Sequence, residues 1–518
     1  MRIGVDVGGT NTDAVLLGGC TVLASHKAPT TPDVGSGIVA AIDDVLRCTA
    51  TPAAAVGAVM IGTTHFTNAL IEARNLCRVG VLGLGAPASL AVPPLVDWPA
   101  ALRAVVHGHT AIVAGGFNYD GRPIAPLHPD EVRRAAREFA ARGLEAVAVS
   151  SVFAPVNPAQ EDEAARILQQ ELPGVDVTQS ARIGRIGLIE RENAAVLNAA
   201  LLPMAGRVVG SFRRALANLG LRAPFFVSQN DGTLLDPDVV TRYPVLTFAS
   251  GPTNSMRGAA FLSGRQDTLV MDIGGTTTDV GVLVQGFPRE SSVAVNIGGV
   301  RTNFRMPDLL SIGLGGGSRV VVADGRVRVG PDSVGFRITE EALVFGGRTL
   351  TATDIAVAAG QAEIGDRGRV AGLDRRLVAA ALDEIHRLAE EAVDRMKTSA
   401  TAVPLVLVGG GSVLIGRELT GVSAVTVPAH AGVANAIGAA IAQVSGAVDR
   451  VYSYEALGRD AALARAREEA LSRAVAAGAS AGSVEITEVE ELPLQYLPGQ
   501  AVRIRVKAVG DLALERAA

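Results

Sequence analysis

The sequence predicts an α/β protein assembled around two related domains. Three observations carry this. Short apolar strands alternate with helices along most of the chain, the pattern of an α/β architecture. The segment Asp6-Val7-Gly8-Gly9-Thr10-Asn11-Thr12-Asp13 recurs as Asp272-Ile273-Gly274-Gly275-Thr276-Thr277-Thr278-Asp279. The 518 residues are 48% hydrophobic and 19% charged, enough apolar material for large buried cores.

Taken in order, Ile3–Val7 reads as a short strand entering a Gly turn and Asn11–Leu17 as the strand returning. The residues after the glycines are Thr-rich and β-favouring, so the loop is a hairpin tip. A Rossmann or Walker site would need a helix there. Gly35–Arg47 reads as an amphipathic helix, Val56–Ile61 as a strand ending at Gly62-Thr63-Thr64, and Phe66–Ala73 as a helix. Pro129–Arg142 opens with Pro and acidic residues and closes at Gly143, which marks a helix. Ala146–Phe153 is a buried strand, Gln160–Gln170 a helix and Gly174–Val177 a short strand. Ile189–Leu219 reads as a long helical stretch interrupted at Pro203. Pro224–Ser228 is a strand. Thr268–Asp272 and Thr277–Val284 then repeat the opening hairpin. Val293–Ile297 and Arg319–Val322 are strands on either side of the Gly-rich run 313–318. Asp374 N-caps a helix reaching Met396. Leu405–Val408 is a strand ending at Gly409-Gly410-Gly411-Ser412, and Ala434–Val444 a close-packing helix rich in Ala and Gly. A charged helix, Arg459–Ala477, and strands Val484–Val489 and Ala501–Val506 make a small α+β appendage. The expected domains are 1–185, 186–449 and 450–518.

Composition excludes several classes. Net charge is −5, from 47 basic and 52 acidic residues, and no basic stripe is present, which argues against nucleic acid as a partner. Cys20, Cys48 and Cys77 fit no metal or redox spacing and suit a reducing cytoplasm. His107 and His109 lack the spacing of a helical zinc pair. Mean hydropathy is +0.31, yet no uninterrupted apolar run of about 20 residues suggests a membrane span. Arg2–Asp6 already reads as a domain's first strand, with no apolar leader ahead of it.

The repeated loops carry the chemistry. A phosphate group takes backbone N–H donors, and glycine lets backbone approach that closely. Gly8, Gly9, Gly274 and Gly275 supply such donors. Thr10, Asn11, Thr12, Thr276, Thr277 and Thr278 add side-chain donors. Asp6 and Asp272, at strand ends beside the turns, suit Mg²⁺ held through water, since Mg²⁺ keeps much of its hydration shell. Asp13 and Asp279 lie on the returning strands, placed to orient a nucleophile or support the turn. One Gly-rich hairpin is ordinary turn chemistry. Two that agree at six of eight positions are not. Gly409, Gly410, Gly411 and Ser412 would let an adenosine lie against backbone, and Gly315–Ser318 is a similar run.

The paired Asp-x-Gly-Gly-Thr loops with a later Gly-Gly-Gly-Ser resemble the actin-like ATPase superfamily. The string GVDVGGTNTDAVLL is similar to the opening of the hydantoinase A/5-oxoprolinase family. IGTTHFTNALIEARN, GGFNYDGRPIAPL, ERENAAVLNAALLP, SQNDGTL, FASGPTNSMRGAA, MDIGGTTTDVGVL and IGLGGGSRV follow in that family's order, covering roughly residues 1–445. The resemblance implies two ribonuclease-H-like, actin/hexokinase-type ATPase domains with an inserted α/β region, closing on ATP and Mg²⁺. It implies ATP-dependent opening of a cyclic amide such as a hydantoin or 5-oxoproline. It also implies a hydantoinase B-type second catalytic subunit and an oligomer. Thr63, Thr64, Asn68, Ser250 and Gly251 become candidates for substrate contact or for joining the domains. Asn11, His65, Phe66 and the Ser250-Gly251-Pro252 loop depart from the family's commonest residues. The alternatives are an acetone-carboxylase-like ATP-dependent subunit, a sugar-kinase-like phosphotransferase, whose zinc motif the cysteines cannot build, and a non-catalytic actin-like ATPase.

Overall fold

The computed structural model describes residues 1–8, 11–29, 34–291, 293–323, 325–495, 497 and 499–513. Among these residues three larger sheets organise the chain. The first hairpin pairs Arg2–Val7 with Asn11–Gly18 and continues into Thr21–Pro29. Ala58–Thr63 then lies parallel to Arg2–Val7, and Phe225–Ser228 parallel to Ala58–Thr63. The second hairpin repeats this plan. Thr268–Ile273 pairs antiparallel with Thr278–Val284, which pairs with Phe287–Pro288 and Leu309–Ile312. Val403–Val408 and Val422–Thr426 follow in parallel. An antiparallel meander followed by two parallel strands beside its first strand is the ribonuclease-H-like arrangement, present twice.

The inserted α/β region is a parallel sheet of His107–Ala114, Val79–Ala86, Ala146–Ser151 and Asp176–Gln179. Its helices Pro129–Ala141 and Ala159–Glu171 cover one face through Val132, Phe139, Ile167 and Leu168. The α+β tail is present, and its strands extend the first sheet. Gln443–Ser453 pairs with Thr233–Leu235 and with Ala501–Gly510, which pairs in turn with Glu485–Pro493. The helix expected over Ala434–Val444 therefore ends at Ala440. Gln443 and Val444 instead satisfy their backbone groups in the sheet, opposite Thr233 and Leu234.

The helix expected to break at Pro203 runs unbroken from Leu188 to Asn218. Proline removes the N–H that would have bonded the Ala199 carbonyl. That carbonyl instead accepts from the Cys77 thiol at 3.4 Å, and the Ala200 carbonyl accepts the Cys77 N–H at 3.0 Å. The orphaned acceptor is satisfied, and packing in the largest core holds the helix together. Its length and apolar character would suit a membrane span, but 72% of its most apolar window is buried within the protein.

Two helices sit between the hairpin sheets. Ala434–Ala440 packs Ala436, Ile437 and Ala440 on Val15 and Leu17 of the first hairpin. Ser250–Ser263 packs Met256 and Ala259 on Val270 and Val406 of the second sheet. The pair approach at backbone contact. A Cβ on Gly258 would lie 1.9 Å from the Ala434 carbonyl oxygen, and one on Gly438 1.8 Å from that of Asn254. This is the physical reason for small residues in both segments.

Candidate functional site

The two hairpins share one geometry. Gly8 N–H donates to the Asn11 carbonyl at 3.0 Å, and Gly274 N–H to the Thr277 carbonyl at 2.9 Å. Asp6 stands opposite Asp13, and Asp272 opposite Asp279. Both hairpin ends open on one cleft of about 440 Å³. Asp6, Gly8, Asn11 and Asp13 line it from one side, and Asp272, Gly274 and Gly275 from the other. Gly9 and Thr10 lie outside the described residues.

Gly409, Gly410 and Gly411 also line the cleft. Gly409 has φ +85°, and a Cβ there would fall 2.3 Å from Asp272 Oδ1. Gly411 N–H donates to the Ile273 carbonyl at 2.7 Å. The Gly run is thus seated on the end of the second hairpin's first strand. Ser412 turns away into the short 3-10 segment Ser412–Leu414. The other Gly run buttresses the second loop, and its Gly316 lines the cleft. Gly316 and Gly317 N–H groups donate to the carbonyls of Gly274 and Gly275 at 3.0 and 2.7 Å. Ile338, Phe345 and Ile364 give the same cleft an apolar wall.

The hydroxyls divide by task. Thr278 Oγ1 is buried and donates to the Leu314 carbonyl at 2.7 Å, which ties the returning strand in place. Thr12 is buried in its strand, whereas Thr276 and Thr277 are exposed at the tip. Thr63 and Ser250 form a reciprocal clamp: Thr63 N–H donates to Ser250 Oγ at 3.3 Å, and Ser250 Oγ donates to the Thr63 carbonyl at 3.0 Å. Thr64 N–H donates to the Val7 carbonyl, and Asn68 Nδ2 donates to Thr64 Oγ1. Gly251 lies against the Thr64 methyl. These five residues join the strand beside the first hairpin to the helix that packs on the second.

Electrostatics concentrate at the carboxylates. Asp6 and Asp13 are 4% and 3% exposed. Burial pushes the Asp6 carboxyl up to about 7, with the negative charges of Asp13 and Asp272 adding to it and a hydrogen bond from Asn435 opposing. Burial likewise raises Asp272, against a hydrogen bond from Ser255. Asp279 is pushed up to about 6 by burial and by the charge of Asp272. Lys27 Nζ meets both oxygens of Asp13 at 2.6 and 2.7 Å.

Asp6, Asp13 and Asp272 line the cleft with the single ammonium of Lys27, which leaves it short of positive charge, and a divalent cation with its nucleotide would supply it. Among the described residues no three His, Cys, Asp or Glu side chains form a direct ligand set. Asp6 and Asp272 nevertheless line the cleft from its two sides, and Asp6 Oδ1 is buried without a hydrogen-bond partner. The residues fit Mg²⁺ held through its waters.

Sequence reasoning missed Lys27, Asn254, Ser255 and Asn435. Two of these left a signal. Lys27 is one of three lysines in a chain that otherwise uses arginine. Asn435 is the lone polar residue in the helix Ala434–Ala440. Asn254 left none: it is fully buried, and neither side-chain amide atom has a partner. Its Nδ2 and Asp6 Oδ1 would each lie 2.5 Å from a Cβ on Gly62, so glycine there keeps that gap open.

The chain matches the hydantoinase/oxoprolinase N-terminal region over residues 2–172 and the hydantoinase/oxoprolinase model over 191–367. It is 28% identical to caprolactamase subunit alpha of Pseudomonas jessenii over 404 residues, covering 74% of this chain and 58% of the relative. It is also 28% identical to the acetophenone carboxylase gamma subunit of Aromatoleum aromaticum, covering 69% and 53%. The chain therefore spans little more than half the length of these relatives. The crystal structure of the ATP-dependent caprolactamase from Pseudomonas jessenii superposes on the whole chain and 88% of its own, with TM-score 0.80 and 21% identity, and has the same fold. Two hairpins of closely similar sequence facing a common cleft, on this fold and with both family models matched, make this chain a member of the hydantoinase/oxoprolinase family.

Proposed function

We propose that this chain is the ATP-using subunit of an enzyme that opens a cyclic amide, a hydantoin, 5-oxoproline or related lactam. One observation carries the reading: Asp6 and Asp272, at matched positions of repeated hairpins, face one cleft whose far wall is glycine and apolar side chains. ATP supplies the phosphoryl group that converts the resonance-stabilised amide oxygen into a leaving group. The Gly8 and Gly274 N–H groups close their own turns, so the phosphates are held from the exposed tip of the second turn, Gly275, Thr276 and Thr277. Asp6 and Asp272 would hold Mg²⁺ through its waters, and the ion would supply positive charge at the phosphoryl group. Gly409–Gly411 and the wall of Ile338, Phe345 and Ile364 take the adenosine. One water adds to the activated carbon and the ring C–N bond breaks, the nitrogen taking a proton and the carbon left as an acyl phosphate. A second water cleaves that to carboxylate and phosphate. The net products are the ring-opened amino acid, ADP and phosphate.

The similarity to a caprolactamase alpha subunit supports this reading, including a second subunit that completes hydrolysis. Free cysteines fit a cytoplasmic setting. The similarity to a carboxylase gamma subunit favours a second reading, an ATP-dependent carboxylase subunit. The test is ATP turnover by the purified chain with 5-oxoproline, hydantoin and lactams of larger ring, with and without the protein encoded beside it. Lactam-stimulated ADP release supports the first reading. Turnover that requires bicarbonate and a ketone replaces it with the second. ATP turnover that no such compound alters, with or without that protein, rejects both.

A further inference from the structure

A second cavity, of about 190 Å³, lies where the segment after the inserted region meets the C-terminal strands. It shares no lining residue with the nucleotide cleft. Arg182, Arg185, Arg305, Arg450, Arg473 and Arg503 line it. Among the described lining residues the one carboxylate is Asp449.

The surrounding acids are shared among too many arginines. Arg450 and Arg473 both pair with Glu469, at 3.1 and 2.6 Å. Arg185 and Arg505 both donate to Glu290 Oε2. Arg503 holds both oxygens of Asp449 at 2.7 and 2.5 Å. Arg305 is left over. Glu290 Oε1 is 3.7 Å from its Nη1, beyond hydrogen-bond length, and both Nη1 and Nη2 are buried without a hydrogen-bond partner. Arg185 Nε is also buried and unpartnered.

A guanidinium whose two terminal amino groups both lack a hydrogen bond keeps the planar donor fork that carboxylate and phosphate accept. Both groups are buried, so an anion reaches them by drawing Arg305 out from beside Glu290, whose Oε1 is likewise unpartnered. Arg185 feels the same deficit: burial, with the positive charge of Arg505 adding to it, brings its guanidinium down to about 10. The side chains of Arg185 and Arg305 are 14% and 15% exposed, so water serves them poorly. Arg182, Arg450 and Arg473 are about half exposed at the rim, where Arg182 pairs with Asp162 at 2.7 Å and the other two share the single carboxylate of Glu469. The volume is below the roughly 300–1,000 Å³ of drug-sized pockets, which restricts the occupant to a small molecule.

We propose that this cavity binds a small oxyanion, a carboxylate or a phosphate, on the fork of Arg305 beside Arg185. Occupancy would tie the loop at 181–186, the loop carrying Arg305 and the C-terminal strands together, so it stabilises the folded chain.

The test is thermal unfolding of the full chain in inorganic phosphate, succinate or chloride at equal ionic strength. A non-hydrolysable ATP analogue with Mg²⁺ is kept in excess to fill the nucleotide cleft. A saturable rise in midpoint over chloride is expected with at least one of the two anions, and which one responds identifies the source. Asp272→Asn, which disables the cleft, should keep the shift. Arg305→Gln should raise the half-saturating concentration about tenfold or more, one lost charge-assisted contact. Should Arg305→Gln fail to fold, Arg450→Gln at the rim should raise it by roughly threefold. No saturable shift with either anion, or saturation curves unchanged in the folded variant, overturns the proposal.

Discussion

Asn435 Nδ2 donates a 2.8 Å hydrogen bond to Asp6 Oδ2, joining residues 429 positions apart. This bond holds Asp6 in orientation, while Oδ1 is buried without a hydrogen-bond partner beside Gly62. Asn435→Ala should leave a buried carboxylate oxygen without its donor, at a cost of about 1–3 kcal/mol. We expect a lower unfolding midpoint and a higher Mg²⁺ requirement for ATP turnover, read from a Mg²⁺ titration at fixed ATP. An unchanged titration would show that Asn435 only packs.

Asp272→Ala should lower ATP turnover by roughly 10²-fold or more, since it removes a preorganised group at the phosphoryl centre. The strand pairing of Thr268–Ile273 is backbone-made, so circular dichroism and the unfolding midpoint should stay near wild type. Near-normal ATPase activity in this variant would remove the cleft from consideration as the phosphoryl site.

Gly438→Ala should be among the most damaging small substitutions. The added methyl would meet the Asn254 backbone at 1.8 to 2.6 Å, where no side chain can swing aside. Overpacking of this kind costs about 1–3 kcal/mol. Because the same helix carries Asn435, turnover should fall beyond what the midpoint accounts for. Equal activity per folded molecule would separate the helix's packing from its role at Asp6.

Stability should depend on pH through Glu192. This buried carboxyl accepts from Ser150 Oγ at 2.5 Å, and burial pushes it up to about 7 despite that bond and the nearby Arg191. A carboxyl raised in the folded state holds its proton there more tightly than in the unfolded chain. Its contribution is complete below about pH 4.5 and is lost as pH rises through about 7, up to about 3 kcal/mol in all. Chemical denaturation at pH 5 and pH 8 should therefore show a smaller loss in Glu192→Gln than in wild type. Equal losses would mean that Glu192 is ionised in the folded protein.

Much of the site was legible because it is local. The strands of Asp6–Asp13 and Asp272–Asp279 pair in the same register, Asp6 opposite Asp13 and Asp272 opposite Asp279, so eight consecutive residues announce the hairpin and the carboxylates at its base. Asp374 acts as the expected N-cap, accepting from Arg376 N–H at 2.9 Å. The break expected at Pro203 failed because Cys77, distant in sequence, supplies the missing donor. The helix end expected at Val444 failed because Thr233 and Leu234 offer a strand to pair with.

The sequence alone determined the two repeated hairpins, their matched carboxylates, the glycine run at 409–411 and the family. Each is written in a short window where backbone conformation dictates residue type. The tertiary structure decided which groups surround those carboxylates: Lys27 on Asp13, Asn435 on Asp6, Asn254 across Gly62. It also decided that the C-terminal strands extend the first sheet and that six arginines enclose a second cavity. These depend on pairings between residues tens to hundreds of positions apart. Such pairings are selected by burial and by the need to satisfy every buried polar group, and neither leaves a mark in any local stretch of sequence.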